Sequence, residues 1–243
     1  MPLGDAVAIS LLGFGAAFVG TISGFGFALL IVPPLSFVVG PKEAVVLSNV
    51  LGVSWLATMF VRLRRDVEWG SALPLMVAAF CGMPFGLLVL EVVPGRVLQV
   101  VLGVNVLIAI FLLSKGVRVN TQSRVFDGVA GFVSGVLNTS TSMNGPPIVL
   151  HLQNKGLAPG PFRATIAAFF VVSAIVTLAL YAASGRVGEY ELKAVVLGLP
   201  GMGLGYLGGS FIVGRMNAGQ FRKFVMAVLV ASAIMALAGA FVG

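Results

Sequence analysis

Charge is what this sequence has least of. Only 9% of its 243 residues are charged, while 58% are hydrophobic and the mean hydropathy is +1.08. That balance excludes an ordinary soluble globular domain, in which charged residues make up about 25%. The single cysteine, Cys81, excludes an internal disulfide, a multi-cysteine metal site and a two-thiol sulfur relay. Set within an apolar segment, it is expected to serve packing. No HExxH, GxSxG, Walker loop or carboxylate cluster occurs, so an ATP-driven pump is not expected from this chain, nor is any metal or cofactor. The net charge of +7 does not imply nucleic acid, because the 15 basic residues are scattered through interhelical loops without a basic face or interleaved aromatics.

What is present is a series of apolar stretches, separated by short clusters of charge. Each approaches the roughly 20 residues that cross a hydrocarbon core, and in lipid a helix satisfies its own backbone. The expected fold is an all-α, multi-pass integral membrane protein surrounded by membrane lipids. Eight hydrophobic units are read, at about 5–39, 42–62, 69–91, 95–114, 126–154, 160–184, 191–213 and 219–242. The first lacks a basic leader and a cleavage site, and is read as a retained membrane segment.

Two of the units contain helix breakers. The first is interrupted by Thr21 to Gly26 and then Pro33-Pro34, the fifth by the run Asn138 to Gly145 (NTSTSMNG) and then Pro146-Pro147. Proline removes a backbone donor, and Gly and Ser offer alternatives to helical bonding. The two broken units hold the same place in two halves of the chain. Gly40-Pro41-Lys42-Glu43-Ala44 answers Gly160-Pro161-Phe162-Arg163-Ala164, and Cys81-Gly82-Met83-Pro84-Phe85-Gly86 answers Pro200-Gly201-Met202-Gly203-Leu204-Gly205. A duplication follows, with repeats at 1–114 and 126–243 joined by a cytoplasmic linker at 115–125.

The basic residues indicate the relation between the halves, since Lys and Arg favour cytoplasmic loops. If every unit crosses once, they divide almost evenly. If each broken unit is a hairpin that returns to its own side, one side collects Arg62, Arg64, Arg65, Lys115, Arg118, Arg124, Lys155, Arg163, Arg215, Arg222 and Lys223. The other receives only Lys42, Arg96, Arg186 and Lys193. The expectation is therefore two inverted repeats, each a broken helix or hairpin followed by three transmembrane helices, with both termini periplasmic.

Inverted repeats with discontinuous helices build midplane sites in secondary transporters, with half-helix N-termini aimed at anionic groups. The candidate binding residues are Ser23, Gly24 and Gly26 in the first break, and Asn138, Thr139, Ser140, Thr141, Ser142, Asn144 and Gly145 in the second. Hydroxyls and amides supply neutral donors, which suit reversible binding of a small anionic substrate. The competing reading is that they satisfy freed backbone or bond across helices. Asn49 on the second unit and Arg163, just after Gly-Pro-Phe, are further candidates, each balanced against an ordinary packing or loop role. His151 is expected to be a helix-end histidine with a backbone partner, and Glu43 a first-turn carboxylate. Gly203-x-Gly205-x-x-Gly208 lacks the strand a dinucleotide site needs and is read as helix packing. Gly131 and Gly135 serve either packing within the chain or a homodimer.

The segments SGFGFALLIVPPL and NTSTSMNGPPIVLHL, the latter followed by GPFRAT, set among eight hydrophobic units, resemble the TauE/SafE family of membrane exporters. The resemblance implies export of sulfur oxyanions, sulfite or organosulfonates such as sulfoacetate, across a bacterial inner membrane by a protein that is not an enzyme. Rival readings are an anion channel, another small-anion transporter, a membrane scaffold and an intramembrane enzyme. The last lacks a base oriented by a carboxylate near its hydroxyls.

Overall fold

The structure, a computed structural model, describes residues 2–23, 26–115, 124–213, 226–227 and 230–238. Among these residues every regular element is a helix: α1 (Leu3–Ser23), α2 (Phe27–Val39), α3 (Pro41–Leu63), α4 (Trp69–Val92), α5 (Gly95–Lys115), α6 (Arg124–Thr141), α7 (Gly145–Asn154), α8 (Pro159–Ala183) and α9 (Glu189–Val213). A 3₁₀ turn at Arg64–Asp66 follows α3. Six helices, α1, α3, α4, α5, α8 and α9, are long and apolar enough to cross a membrane. With 13 and 10 residues, α2 and α7 reach only ~20 and ~15 Å at 1.5 Å per residue. Large apolar side chains such as Leu11, Phe85, Leu88 and Leu204 cover the outside of the bundle, as a lipid-facing surface requires.

The breaks are narrower than the sequence suggests. Helix α1 continues through Thr21 and Ser23, and α6 continues through Asn138, Thr139, Ser140 and Thr141, so unwinding in the second unit is confined to Ser142–Asn144. The hydroxyls explain this. Ser140 and Thr141 donate to the carbonyls of Val136 and Leu137, four residues back, at 2.7 Å each, and so keep the last turn closed. Pro33 and Pro34, expected to be an unwound point, lie inside α2. Pro146 and Pro147 occupy the first turn of α7, where a missing N–H breaks no helical bond.

Each broken unit starts and finishes at one end of the bundle. At the first end, Tyr190 at the start of α9 donates to the Asp5 carboxylate at the start of α1 (3.0 Å). There too Lys42 donates to the Glu91 carbonyl (2.7 Å), and Arg186 grips the Glu91 carboxylate through two nitrogens. Asp5 and Lys42 flank α1 and α2, so that pair leaves this end and returns to it. At the opposite end Asp127, in the first turn of α6, lies 3.6 Å from Lys155 at the close of α7. Arg62, Arg64, Arg65 and Arg163 lie at this second end, joined to it by the Glu68 N–H donating to Thr165 (3.0 Å). The linker expected at 115–125 falls mostly outside the described residues.

The halves pair crosswise: α1 lies along α9, and α4 along α6. Glycine makes both contacts possible. A Cβ on Gly201 or Gly205 would come within 2.2 Å of the carbonyl oxygens of Ser10 or Phe14, and one on Gly82 or Gly86 within 2.2 Å of those of Phe132 or Val136. On α6, Gly131 and Gly135 meet α4 in the same way, so their closeness is used inside the chain. Gly203, the first glycine of the dinucleotide-like pattern, faces open space on an unbroken α9. Cys81, expected to pack, is exposed on the outer face of α4, because the inward stripe is taken by Gly82 and Gly86.

Substituting Gly205→Ala or Gly86→Ala forces the paired helices apart and is expected to cost about 1–3 kcal/mol, read as a lower melting temperature in detergent. Gly203→Ala should leave that temperature unchanged; equal losses at all three positions would contradict this account of the pairing.

Candidate functional site

Where the two broken units meet, a cavity of about 50 Å³ opens between the starts of α2 and α7. Its walls come from Gly26, Phe27, Ala28 and Leu29, from Ser48, Asn49, Gly52, Trp55 and Leu56 on α3, from Asn138, Ser142, Met143, Asn144 and Gly145, and from Phe170 and Ala174 on α8. No charged side chain is among them.

The two halves equip this cavity differently. The first backbone bond of α2 runs from Leu30 to the Gly26 carbonyl at 3.1 Å, which leaves the N–H groups of Phe27, Ala28 and Leu29 without helical acceptors. Gly26 turns the chain into α2 with φ 96°, a value that favours glycine. Helix α7 has proline at its second and third positions, so its start offers little beyond the Gly145 N–H. The second half compensates with side chains: Ser142 donates to Ser48 at 3.1 Å, which leaves the Ser48 proton as a donor of the wall, and the Asn144 side chain caps nothing on its own helix. Both helix starts contribute partial positive charge to the same small space.

Ser142 is the described non-glycine residue with positive φ, at 62°. Its N–H closes the last turn of α6 on the Asn138 carbonyl at 2.9 Å, the left-handed helix ending that glycine usually makes. A serine there costs on the order of 1 kcal/mol in backbone strain and keeps a hydroxyl in the cavity.

Of the residues singled out from sequence, Gly26, Asn49, Asn138, Ser142, Asn144 and Gly145 come together on these walls. Asn138 is largely committed: its amide donates to Thr177 Oγ1 (2.7 Å) and the Ser173 carbonyl (3.3 Å), tying α6 to α8. Asn49 spreads its amide over three long contacts of 3.2–3.5 Å, to the Val45 and Asn138 carbonyls and the Tyr181 hydroxyl, and so is the easier group to redirect. Thr139, Ser140 and Thr141 lie off the walls, bonded to carbonyls; Thr139 donates to Met83 at 2.7 Å. Arg163 is also elsewhere, with its guanidinium 3.5 Å from the Thr21 carbonyl. The Ser23 side chain and Gly24 lie outside the described residues.

His151 has no backbone partner for its ring, contrary to the sequence expectation. It is buried and stacked on Phe126, with Nδ1 3.4 Å from the Asp127 carboxylate, a charge contact in which neither atom completes a hydrogen bond. A carboxylate does therefore face the histidine. Ser140, the hydroxyl that would have to complete a catalytic set, is turned back onto Val136.

A break at the start of a short helix in each half, with the two starts facing one cavity inside a polytopic bundle, is an arrangement that secondary transporters use to build binding sites. The family model described as Sulfite exporter TauE/SafE matches residues 9–236, nearly the whole chain. This chain belongs to the TauE/SafE sulfite exporter family. No curated protein and no solved structure matches it. TauE/SafE membership makes the chain a membrane protein of an exporter family rather than of an enzyme family.

Within this TauE/SafE chain, sequence reasoning missed Ser48, Trp55, Phe27 and Tyr181. Ser48 precedes Asn49 and would have stood out only had the approach of α3 to the second break been known. Tyr181, fully buried, donates to the Thr139 carbonyl at 2.7 Å, an acceptor left over at the end of α6.

Ser142→Gly should relieve the strain and raise stability by about 1 kcal/mol, while Ser142→Ala should not. Both remove the hydroxyl and should weaken anion binding alike, so melting temperature and affinity are expected to move independently. A Ser142→Gly variant no more stable than the parent would refute the strain argument.

Proposed function

We propose that the protein is a secondary transporter that exports small sulfur oxyanions, sulfite or organosulfonates such as sulfoacetate, by alternating access across a bacterial inner membrane. One observation carries the reading: two helix starts, one from each half, face a single cavity that has hydroxyl and amide donors and no charged side chain. A neutral donor set stabilises an oxyanion through N–H and O–H dipoles yet holds no fixed counter-charge, so the anion can leave. Family membership supports sulfite as the first substrate to test.

In this mechanism the halves, 1–114 and 126–243, act as inverted repeats about the cavity. Their crosswise pairing and the return of each broken unit to its own end support that arrangement. The end that carries Arg62, Arg64, Arg65, Lys155 and Arg163 is assigned to the cytoplasm, and both termini to the periplasm. An anion leaving a negative-inside cell runs downhill by ~2.3 kcal/mol per charge per 100 mV, enough to drive export without a coupling ion.

Proteoliposomes should show saturable sulfite flux that follows an imposed voltage. Combining Ser48→Ala with Ser142→Gly should lower it roughly tenfold, the effect of about 1.4 kcal/mol lost with two donors. Flux that does not saturate would identify a channel, and no flux for sulfite, taurine or sulfoacetate would refute the reading. In a Cys81→Ala background, Arg65→Cys should react with a membrane-impermeant maleimide from the cytoplasm and Glu189→Cys from the periplasm. The reverse pattern would invert the topology.

A further inference from the structure

We infer that a second anion site, built on Arg62 and Arg163, lies at the end assigned to the cytoplasm and captures a doubly charged oxyanion before it reaches the midplane cavity. This site rests on the reading of that cavity as the transport site. A separate cavity of about 170 Å³ is walled by Thr21, Met59, Arg62, Leu63, Arg163, Tyr206 and Ser210. It differs in kind from the midplane cavity, because two arginines line it beside its hydroxyl residues.

Neither guanidinium is neutralised by the protein. All eight acidic residues of the chain are among the described residues. Among the described residues the ion pairs engage Glu91, Asp127 and Glu189, and none of the eight acidic side chains lies within 4.0 Å of Arg62 or Arg163. Arg163 is half-buried; its Nε is shut away from solvent with no acceptor, and a terminal guanidinium nitrogen reaches the Thr21 carbonyl only at 3.5 Å, the limit of a hydrogen bond. Arg62, at the mouth, lies 5.1 Å over the ring of Tyr206, which orients it without neutralising it. A buried N–H with no acceptor, beside a second unpaired cation, carries a standing cost that an oxyanion would remove. The planar forks of two arginines match paired oxygens of a sulfite or similar dianion, and the hydroxyls of Tyr206 and Ser210 stand on the same wall.

Position gives this site its role. Trp55 lines the midplane cavity, Thr21 lines the arginine cavity, and the Trp55 Nε1–H donates to Thr21 Oγ1 at 2.9 Å. One hydrogen-bonded pair therefore forms the partition, with Trp55 stacked on Phe27 at the start of α2 (ring centroids 5.4 Å apart). An anion held by the arginines sits one side chain away from the neutral donors. Fixed positive charge there raises the local anion concentration, while the neutral cavity beyond releases it.

The test uses radiolabelled sulfite on the full chain in phosphatidylcholine nanodiscs. Wild type should bind two sulfites, Arg62→Gln/Arg163→Gln one, and Ser48→Ala/Ser142→Gly the other one. In proteoliposomes the arginine variant should raise KM roughly tenfold with kcat within twofold, and its KM should lose salt dependence. Arg62→Lys/Arg163→Lys should restore most of the loss. To avoid dependence on variants that fail to fold, Ser210→Cys in a Cys81→Ala background should be protected from maleimide by sulfate, a dianion that, unlike sulfite, does not add to the maleimide double bond, while both arginines are intact. Absence of protection, or an unchanged count and KM in the glutamine variant, would overturn the site. Protection by phosphatidylglycerol but not by sulfate would overturn it in favour of a lipid headgroup. If instead the midplane reading fails, Ser48→Ala/Ser142→Gly will keep full flux while the arginine results stand.

Discussion

Everything in this protein turns on one constraint: inside a hydrocarbon layer, a backbone polar group must find its partner within the protein or within a cavity the protein encloses. An unbroken helix meets that requirement everywhere along its length. A broken one leaves N–H groups at the new start and carbonyls at the old end. Here two carbonyls at the end of α6 are satisfied internally, by Tyr181 on Thr139 and by Ser142 N–H on Asn138, whereas Phe27, Ala28 and Leu29, whose N–H groups have no helical acceptor, line the cavity. Acceptors at the end of α6 are thus closed, and donors at the start of α2 are left open. That asymmetry is what an anion site needs, and it would make a poor cation site.

Holding two breaks face to face requires a rigid frame, and the glycine seams supply it. Backbone-to-backbone contact between α1 and α9, and between α4 and α6, locks one helix of each broken unit onto a full-length helix of the other half. In lipid, where hydrophobic burial gives little drive for helices to associate, such close packing is a main source of attraction. The short members, α2 and α7, are clamped less by their own length than by what they touch: Trp55 and Gly52 against Phe27, and Ser134 Oγ donating to the Asn144 carbonyl at 2.9 Å. The cavity is therefore bounded by two short helices held against long ones.

The TauE/SafE assignment and the geometry bear on different questions. The family match makes the chain part of an exporter family; the geometry distinguishes a cavity between the two helix starts from one lined by Arg62 and Arg163. Arg163 illustrates the gain. Read from its neighbours in the chain, it belonged with the second break, but α8 carries it to the far side of Trp55, beside Arg62 and Tyr206. Charge and neutral donors, which looked like parts of one site, are separated by the Thr21–Trp55 hydrogen bond.

The sequence by itself determined the helical membrane class and the two regions where helices break, and it led to the expectation that each broken unit returns to its own end. These follow from local facts: apolar run length, Gly and Pro placement, and the sidedness of Lys and Arg. Only the tertiary structure decided which polar groups face the cavity. The run Asn138 to Ser142 is uniform in sequence, yet α6 turns successive residues by about 100° and ends at Thr141, so Asn138 and, past the helix end, Ser142 reach the cavity while Ser140 and Thr141 bond back onto their own helix. The partners Ser48, Trp55 and Tyr181 come from helices distant in the chain, and no local pattern encodes which of their side chains the glycine seams will bring to the breaks.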